Sequence, residues 1–235
     1  MARRRKKKSL RKRWLRRIGI VALAFLLASV LLILPLRWVD PVTTAFMLQD
    51  DSGRAPLLHE WVAWEEMGTT AALAVVASED QRFADHFGLD FTALWKAVDE
   101  QEERGYLRGA STISQQTVKN LFLWPGRSFV RKGLEAWFAI ITELCLSKRR
   151  ILEIYLNIAE FGPGIYGIGA ASRYFFGRTP AELSDREAAL LAAVLPNPIR
   201  LHANDPSAYV HERRAWILTH MRRMEREGWI TRINR

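Results

Sequence analysis

An uncharged run of 19 residues, Ile18–Leu36, constrains the fold of this chain more than any other feature of its sequence. A helix of that length rises roughly 28 Å, which is close to the ~30 Å hydrocarbon core of a bilayer. The 17 residues before it carry 11 lysines and arginines and no acidic residue. Because such cations stay on the cytoplasmic side of a membrane helix, the pattern predicts a signal anchor whose N-terminus is cytoplasmic.

Two other interpretations of this segment are weaker. A cleaved signal peptide has a shorter apolar region, and no clear small-x-small cleavage site precedes Arg37. The core helix of a soluble protein is rarely preceded by so many cations. Trp14 and Trp38 flank the segment, as interfacial aromatic residues often do.

The net charge of +10 belongs to the N-terminal tail. Beyond the first 17 residues the chain has 24 basic and 25 acidic side chains, so the remainder is nearly neutral. This distribution argues against nucleic acid as a partner, because a nucleic-acid-binding domain carries a basic patch of its own. The single cysteine, Cys145, excludes an internal disulfide, and its apolar surroundings in the sequence predict a buried, inert thiol.

The sequence divides into a basic cytoplasmic tail (1–17), a transmembrane signal anchor (18–36) and one mostly α-helical domain (37–235). Capping boxes begin at Thr179 and Ser184, and the second leads into an alanine- and leucine-rich run closed by two prolines. Alternation of apolar and polar residues is rare, so any sheet is expected to be small.

A pair of acids, Glu79 and Asp80, follows the apolar stretch Ala71–Ala77, which predicts a buried helix. A carboxyl group at the edge of an apolar core suits proton transfer. The plainer interpretation is that both acids solvate the helix end and pair with Arg82. These residues alone slightly favour the plainer interpretation.

A second polar segment, Gly109–Leu123, is dense in hydroxyl and amide side chains. Gln115 and Lys119 are four residues apart, so they share one helix face. Gln116 and Asn120 share the neighbouring face. Hydroxyls, amides and an ammonium group on one surface suit a sugar or phosphate ligand. A capped amphipathic helix would explain the serines and the threonine but not the glutamine pair.

Four cations in and after this segment are candidates to bind a pyrophosphate: Lys119, Arg127, Arg131 and Lys132. Arg131 and Glu135 are also four residues apart, so a surface ion pair is an adequate explanation for those two.

Two further stretches have plain explanations. The cations at 148–150 fit a solvated helix turn. The glycine-rich stretch Gly162–Gly177 follows no predicted strand, so close backbone packing or a flexible cleft wall explains it better than a phosphate-binding loop. The sequence offers no His/Cys cluster for a metal, no G-x-S-x-G elbow and no Walker loop.

Five short motifs follow one another along the chain. The first, E-D-x-x-F-x-x-H-x-G, comprises Glu79, Asp80, Phe83, His86 and Gly88. The second, G-x-S-T-I-x-Q-Q followed by K-N, comprises Gly109, Ser111, Thr112, Ile113, Gln115, Gln116, Lys119 and Asn120. The third, R-K-x-x-E, comprises Arg131, Lys132 and Glu135. The fourth comprises Lys148, Ile151, Leu152, Glu153, Tyr155, Leu156 and Asn157, and the fifth Gly167, Ala171, Phe176 and Gly177. In this order they resemble the peptidoglycan glycosyltransferases of glycosyltransferase family 51, most closely the monofunctional type. Arg178 stands where that family usually has lysine, which keeps the charge.

The resemblance implies a lysozyme-like helical fold with two lobes around a cleft. It also implies an enzyme that polymerises lipid II into β-1,4-linked glycan strands with inversion, releasing undecaprenyl diphosphate. Glu79 would be the catalytic base that takes the proton of the acceptor 4-hydroxyl, and Glu135 would be a second important acid. The substrate-binding residues would be Ser111, Gln115, Gln116, Lys119, Asn120, Arg127, Arg131 and Lys132.

No cofactor is required by the sequence, and a divalent cation, Mg²⁺ or Mn²⁺, is a candidate. The expected partners are lipid II, the growing lipid-linked glycan and the inner membrane, with cell-division or elongation proteins as candidates. The catalytic domain is expected in the periplasm on a single-pass anchor.

Two rival functions remain open. A lytic enzyme of the lysozyme superfamily would share the helical fold and the catalytic glutamate, but it has no need of a diphosphate-binding cluster. A membrane-tethered binding or scaffold protein would carry a degenerate site.

Overall fold

The computed structural model describes residues 2–95, 111–126 and 128–234, with side chains from residue 12 onward. The α-helices are α1 (Ala2–Ile33), α2 (Ala45–Leu48), α3 (Trp64–Met67), α4 (Thr69–Glu79), α5 (Ile113–Phe122), α6 (Phe129–Cys145), α7 (Lys148–Ile158), α8 (Ile168–Phe176), α9 (Asp185–Val194), α10 (Ala208–Arg226) and α11 (Trp229–Ile233). Residues 91–95 are also helical, and 3-10 helices cover Leu34–Arg37 and Pro180–Glu182. The strands are β1 (Leu58–His59), β2 (Glu160–Gly162) and β3 (Ile165–Tyr166). The prediction of a mostly helical chain with a small sheet is confirmed.

The N-terminal helix α1 runs through both the basic tail and the predicted anchor. Together with the 3-10 helix that follows, it forms a stretch, Lys12–Arg37, that is long and apolar enough to cross a membrane, and the apolar window of this stretch has a mean hydropathy of 2.8. Only 11% of this apolar window is buried inside the protein. An apolar helix with so little protein around it fits a bilayer better than a soluble core.

The anchor is attached to the domain by side-chain contacts near its C-terminal end. The rings of Phe25 and Trp137 lie 5.4 Å apart, and Trp137 Nε1 donates a hydrogen bond of 3.0 Å to Ser29 Oγ. Arg150 Nε donates to the carbonyl of Leu36 at 2.8 Å. α1 therefore packs against α6, and the 3-10 helix after α1 is bonded to α7.

The helix α4 forms the centre of the core. All residues of Ala71–Ala77 are buried, and α9 and α10 both pack against α4. A helix that is apolar on all sides is expected in the middle of a core. The predicted buried helix is confirmed, and it places its last residue, Glu79, where the core meets the surface.

The predicted capping boxes and the buried cysteine are confirmed. Ser184 and Glu187 form the predicted capping box at the start of α9, and Thr179 forms the other with Glu182. Cys145 is buried at the end of α6, as expected.

The small sheet has the strand order β1–β3–β2, with β1 parallel and β2 antiparallel to β3. After β3, Gly167 has a φ of +83°, and a Cβ there would lie 2.6 Å from the carbonyl oxygen of Asn157. Only glycine fits both constraints. The glycine-rich stretch thus serves close backbone packing, although its first glycine ends a short strand that the sequence did not predict.

The cations at 148–150 differ from the prediction of a solvated turn. Lys148 Nζ lies 2.7 Å from both Glu143 Oε1 and the His86 carbonyl oxygen. Arg150 forms ion pairs in addition to its bond to the end of the anchor. Arg149 is the most exposed of the three cations, with 40% of its side chain accessible, and it pairs with Glu65. The prediction is wrong for Lys148 and Arg150, which hold neighbouring segments together.

Candidate active site

The carboxylate of Glu79 is held by donors from two sides. Ser78 Oγ and Arg213 Nη2 lie 2.9 Å and 3.3 Å from Oε1, and Gln116 Nε2 donates to Oε2 at 3.0 Å. The Glu79 side chain is 11% exposed, so it is partly open to a ligand. The pairing with Arg82 that the plainer interpretation required is absent from the described residues, since Arg82 pairs with Asp90.

The amide of Gln116 is fixed by a buried tyrosine. Tyr155 on α7 donates its hydroxyl to Gln116 Oε1 at 2.9 Å, which leaves Nε2 directed at Glu79. Burial raises the pKa of Tyr155 well above its ordinary value, with the carboxylates of Glu79 and Asp80 adding to the effect. The phenol therefore stays protonated and acts as a permanent donor.

Asp80 joins the first two sequence motifs. Its carboxylate accepts hydrogen bonds from His86 Nε2 at 2.9 Å and from the backbone N–H of Ile113 at 3.0 Å. Thr112 Oγ1 adds a bond of 2.6 Å to the carbonyl of Gly88. These buried contacts fix the start of α5 next to Glu79.

Lys119 lies on α5, three residues after Gln116. Its ammonium lies 5.0 Å from the centre of the Phe46 ring, and no hydrogen bond to it is seen in the part of the chain described. Burial lowers the pKa of Lys119, and Glu135 and Glu79 oppose that shift. The lysine is therefore a largely desolvated cation near both acids, available to an anionic ligand.

Glu135 is buried rather than part of a surface ion pair. Its side chain is 3% exposed; one oxygen pairs with Arg131, and the other lies 2.8 Å from Lys132 Nζ. Lys132 also donates to Ser111 Oγ at 2.7 Å. Arg131 Nε is buried and has no hydrogen-bond partner among the described residues. A buried, unpaired donor beside a cation cluster is suited to a phosphate oxygen.

The other residues predicted to bind substrate are Gln115, Asn120 and Arg127, and within the described residues neither Gln115 nor Asn120 forms a hydrogen bond with Glu79. Gln115 Oε1 accepts from the Thr112 N–H at 3.0 Å in the capping box of α5, so this side chain has a structural contact. Asn120 is buried, and its side chain makes no hydrogen bond within the described ranges. Arg127, like Gly109 of the second motif, lies outside the described residues. The roles of these residues in substrate binding stay predictions.

Sequence reasoning missed Arg213. It lies on α10, where Val210 and Ile217 are both buried, so it interrupts an apolar helix face. A charged residue at that spacing was the available signal. Arg213 Nη2 lies 2.9 Å from Ser78 Oγ in addition to its ion pair with Glu79.

The described ranges contain no group of three or more His, Cys, Asp or Glu side chains arranged to hold a metal ion. A divalent ion at Glu135 would have to displace Arg131 or Lys132 from its carboxylate. The donor set at this position therefore does not fit a resident Mg²⁺ or Mn²⁺.

Comparison with known proteins identifies the family. A family model described as Transglycosylase matches residues 51–222. The chain is 52% identical over 208 residues to the biosynthetic peptidoglycan transglycosylase of Marinomonas sp. (strain MWYL1), which covers 88% of this chain and 91% of that protein. It is 48% identical to the Stutzerimonas stutzeri protein of the same name, with 92% of each chain covered. Identity to the Pseudomonas aeruginosa protein of that name is 45%, with coverage of 94% and 97%. This chain therefore belongs to the transglycosylase family.

Proposed function

We propose that this chain is a peptidoglycan glycosyltransferase that polymerises lipid II into β-1,4-linked glycan strands. The observation that carries the proposal is the partly open carboxylate of Glu79, held by Gln116 and Arg213 beside a partly buried cation cluster. A base next to an anion-binding surface is what glycosyl transfer from a lipid diphosphate needs.

Glu79 is the base in this proposal. It takes the proton from the 4-hydroxyl of the acceptor N-acetylglucosamine as that oxygen attacks the anomeric carbon of the donor N-acetylmuramic acid. The bond from that carbon to the diphosphate oxygen breaks on the opposite face, so the configuration inverts. The electron pair leaves with undecaprenyl diphosphate, and the proton remains on Glu79 until solvent removes it.

Three cations receive the leaving group. Lys119, Arg131 and Lys132 supply ammonium and guanidinium donors to the diphosphate, and the sequence adds Arg127. Negative charge grows on the leaving oxygen in the transition state, so fixed donors lower the barrier more than they tighten ground-state binding. Glu135 positions Arg131 and Lys132 through its two oxygens. A divalent ion such as Mg²⁺ or Mn²⁺ would join as a counter-ion of the substrate diphosphate.

The anchor matches substrates that carry polyprenyl tails. The tail cations support an N-terminus in the cytoplasm and a domain on the periplasmic face of the inner membrane. The donor and acceptor would then enter from the same leaflet that holds the anchor. Cell-division or elongation proteins stay candidate partners.

Purified full-length protein tests the proposal in proteoliposomes that contain lipid II. We expect glycan polymer and released undecaprenyl diphosphate, both in the presence and in the absence of EDTA. Gel analysis of the strands detects the polymer. Clearing of preformed sacculi without polymer would instead identify a lytic enzyme. If the protein shows neither polymerisation nor lysis, a binding or scaffold protein would be favoured.

A further inference from the structure

An open groove lies next to the catalytic carboxylate, because its lining residue Arg213 contacts Glu79 Oε1 at 3.3 Å. It measures about 300 Å³ and is lined by Tyr209, Glu212, Arg213 and Trp216. These α10 residues follow the spacing i, i+3, i+4, i+7, so they form a single stripe on one helix face. None of them belongs to the five sequence motifs.

Three polar groups of this stripe are free to bind a ligand. Within the described residues, no hydrogen bond or ion pair is seen for the Tyr209 hydroxyl, the Glu212 carboxylate or Trp216 Nε1. Arg213 Nε is buried and has no hydrogen-bond partner there either. A groove with donors, an acceptor and two aromatic faces suits a ligand that has both hydroxyls and an apolar face.

The Trp216 ring is held in place. It stacks on His220 with ring centres 3.8 Å apart, and the His220 ring bonds to the Trp216 carbonyl through Nδ1 at 2.8 Å. A fixed aromatic face costs little conformational entropy when a ligand stacks on it. Tyr209, at the other end of the stripe, is 53% exposed.

The charges of the groove select against an anion. Its single cation, Arg213, is already paired with Glu79, and the free carboxylate of Glu212 repels a phosphate. A neutral ligand with hydroxyl and amide groups meets no such penalty. Its hydroxyls would donate to Glu212, and Arg213 and Trp216 would donate to its oxygens.

We propose that this groove binds an N-acetylhexosamine ring of the glycan, stacked between Tyr209 and Trp216. The inference rests on the proposed polymerase function. Arg213 joins the groove to Glu79 Oε1, so a sugar in the groove lies next to the base. Pyranose rings present C–H groups on their faces, and these pack against the electron-rich faces of aromatic rings.

Direct binding of a soluble sugar tests this site. Calorimetry measures the binding of chitotetraose as it is titrated into full-length Glu79→Gln protein in detergent. Tyr209→Ala in the same background is expected to weaken binding roughly 3- to 10-fold, which corresponds to the loss of one stacking contact. His211→Ala is the matched control, because His211 is exposed on α10 and does not line the groove. Equal affinities for all three proteins, or no binding at all, would overturn the proposal.

Polymerisation assays identify which sugar occupies the groove. If the ring belongs to the acceptor, Tyr209→Ala raises the KM for lipid II and leaves strand length unchanged. If it belongs to the growing strand, the strands shorten at an unchanged KM. Glu212→Gln should act in the same direction, with Glu225→Gln as an exposed control on α10. Wild-type kinetics and strand lengths in Tyr209→Ala would sink the proposal, whereas failure of the wild-type enzyme to polymerise lipid II would sink the proposed function and leave the binding test standing.

Discussion

The two carboxylate oxygens of Glu79 accept hydrogen bonds from side chains on two different helices. Oε2 accepts from Gln116 on α5, and Oε1 accepts from Arg213 on α10. The residue is therefore oriented by contacts that span most of the domain sequence. The geometry of the site therefore depends on the side chains that hold Glu79 as much as on Glu79 itself.

Tyr155→Phe tests how far the orientation of Gln116 matters. Without the phenol, Gln116 Oε1 loses the donor that keeps its amide directed at Glu79. We expect kcat to fall about 3- to 30-fold, equivalent to roughly 0.7–2 kcal/mol, with the KM for lipid II little changed. Tyr174→Phe is the control, because the Tyr174 hydroxyl has only a long contact of 3.5 Å with Arg54. Equal kcat values for the two variants would show that Gln116 needs no such support.

Glu160 gives the fold a pH dependence. Burial raises its pKa from an ordinary 4.5 to about 7, and repulsion from Asp50 and Asp51 adds to the shift, while Lys119 opposes it. Between these two values the folded protein holds a proton that the unfolded chain releases. Stability therefore falls as pH rises through this window.

Glu160→Gln removes that titration and keeps an oxygen that can accept from the Gly164 N–H. We expect the Tm of the wild type to drop from pH 5 to pH 8 by more than the Tm of the variant does. Calorimetry at both pH values measures the difference, and Glu66→Gln, an exposed acid, should behave like the wild type. Parallel Tm curves for wild type and Glu160→Gln would contradict the assignment.

Helix α5 shows how an element positions the site. Its capping box and the bond from Thr112 to Gly88 fix the turn from which Gln116 and Lys119 project. Gln115 contributes to that cap. The polar density of this segment thus has two causes, because some side chains form the cap and others face the ligand.

Thr112→Ala removes the cap acceptor and the donor to Gly88 together. We expect a loss of about 1–3 kcal/mol in the free energy of unfolding, and a fall in polymerisation because α5 is no longer fixed at its start. Denaturant unfolding of the detergent-solubilised protein measures the first effect. Thr219→Ala, at an exposed position within α10, should stay within about 0.5 kcal/mol of wild type. If Thr112→Ala also stayed within about 0.5 kcal/mol of wild type, the cap would not stabilise the protein.

Local signals predicted some elements and missed others. α4 and α9 were predictable because their apolar runs and capping residues lie within each helix. The sheet was not, since its two- and three-residue strands carry too little pattern, and β1 pairs with a strand about 100 residues further along the chain. Arg213 was missed for the same reason, as it meets Glu79 across 134 residues of sequence. The buried state of Glu135 equally depends on packing that residue spacing does not report.

Over the whole molecule, the anchor and the catalytic domain share contacts. Arg150 donates to the carbonyls of Leu36 and Val39 and pairs with Asp40, so it holds the segment that leaves the anchor. Trp137 adds a second contact with α1. These contacts fix the domain relative to the helix that carries it, which matters for substrates drawn from the bilayer.

Arg150→Gln is expected to reduce polymerisation more in proteoliposomes than in detergent. The variant loses its two ion pairs and its bonds to the segment that leaves the anchor, so the site around Glu79 is less well oriented to the membrane. Its neighbour Arg149→Gln is the control, because Arg149 contacts the exposed Glu65 and the Trp64 ring rather than the segment that leaves the anchor, and an exposed ion pair is worth about 0–1 kcal/mol. Equal losses in both media would mean that Arg150 stabilises the domain without orienting it.

If Glu79 is the base of a glycan polymerase, Glu79→Gln should abolish polymerisation without unfolding the protein. The amide keeps the shape and the contact with Ser78 but cannot accept the acceptor's proton. In proteoliposomes with lipid II, we expect the variant to keep the wild-type circular dichroism spectrum and to lose polymerisation by at least about 100-fold. Glu66→Gln should polymerise at the wild-type rate. Wild-type polymerisation by a folded Glu79→Gln protein would contradict the account.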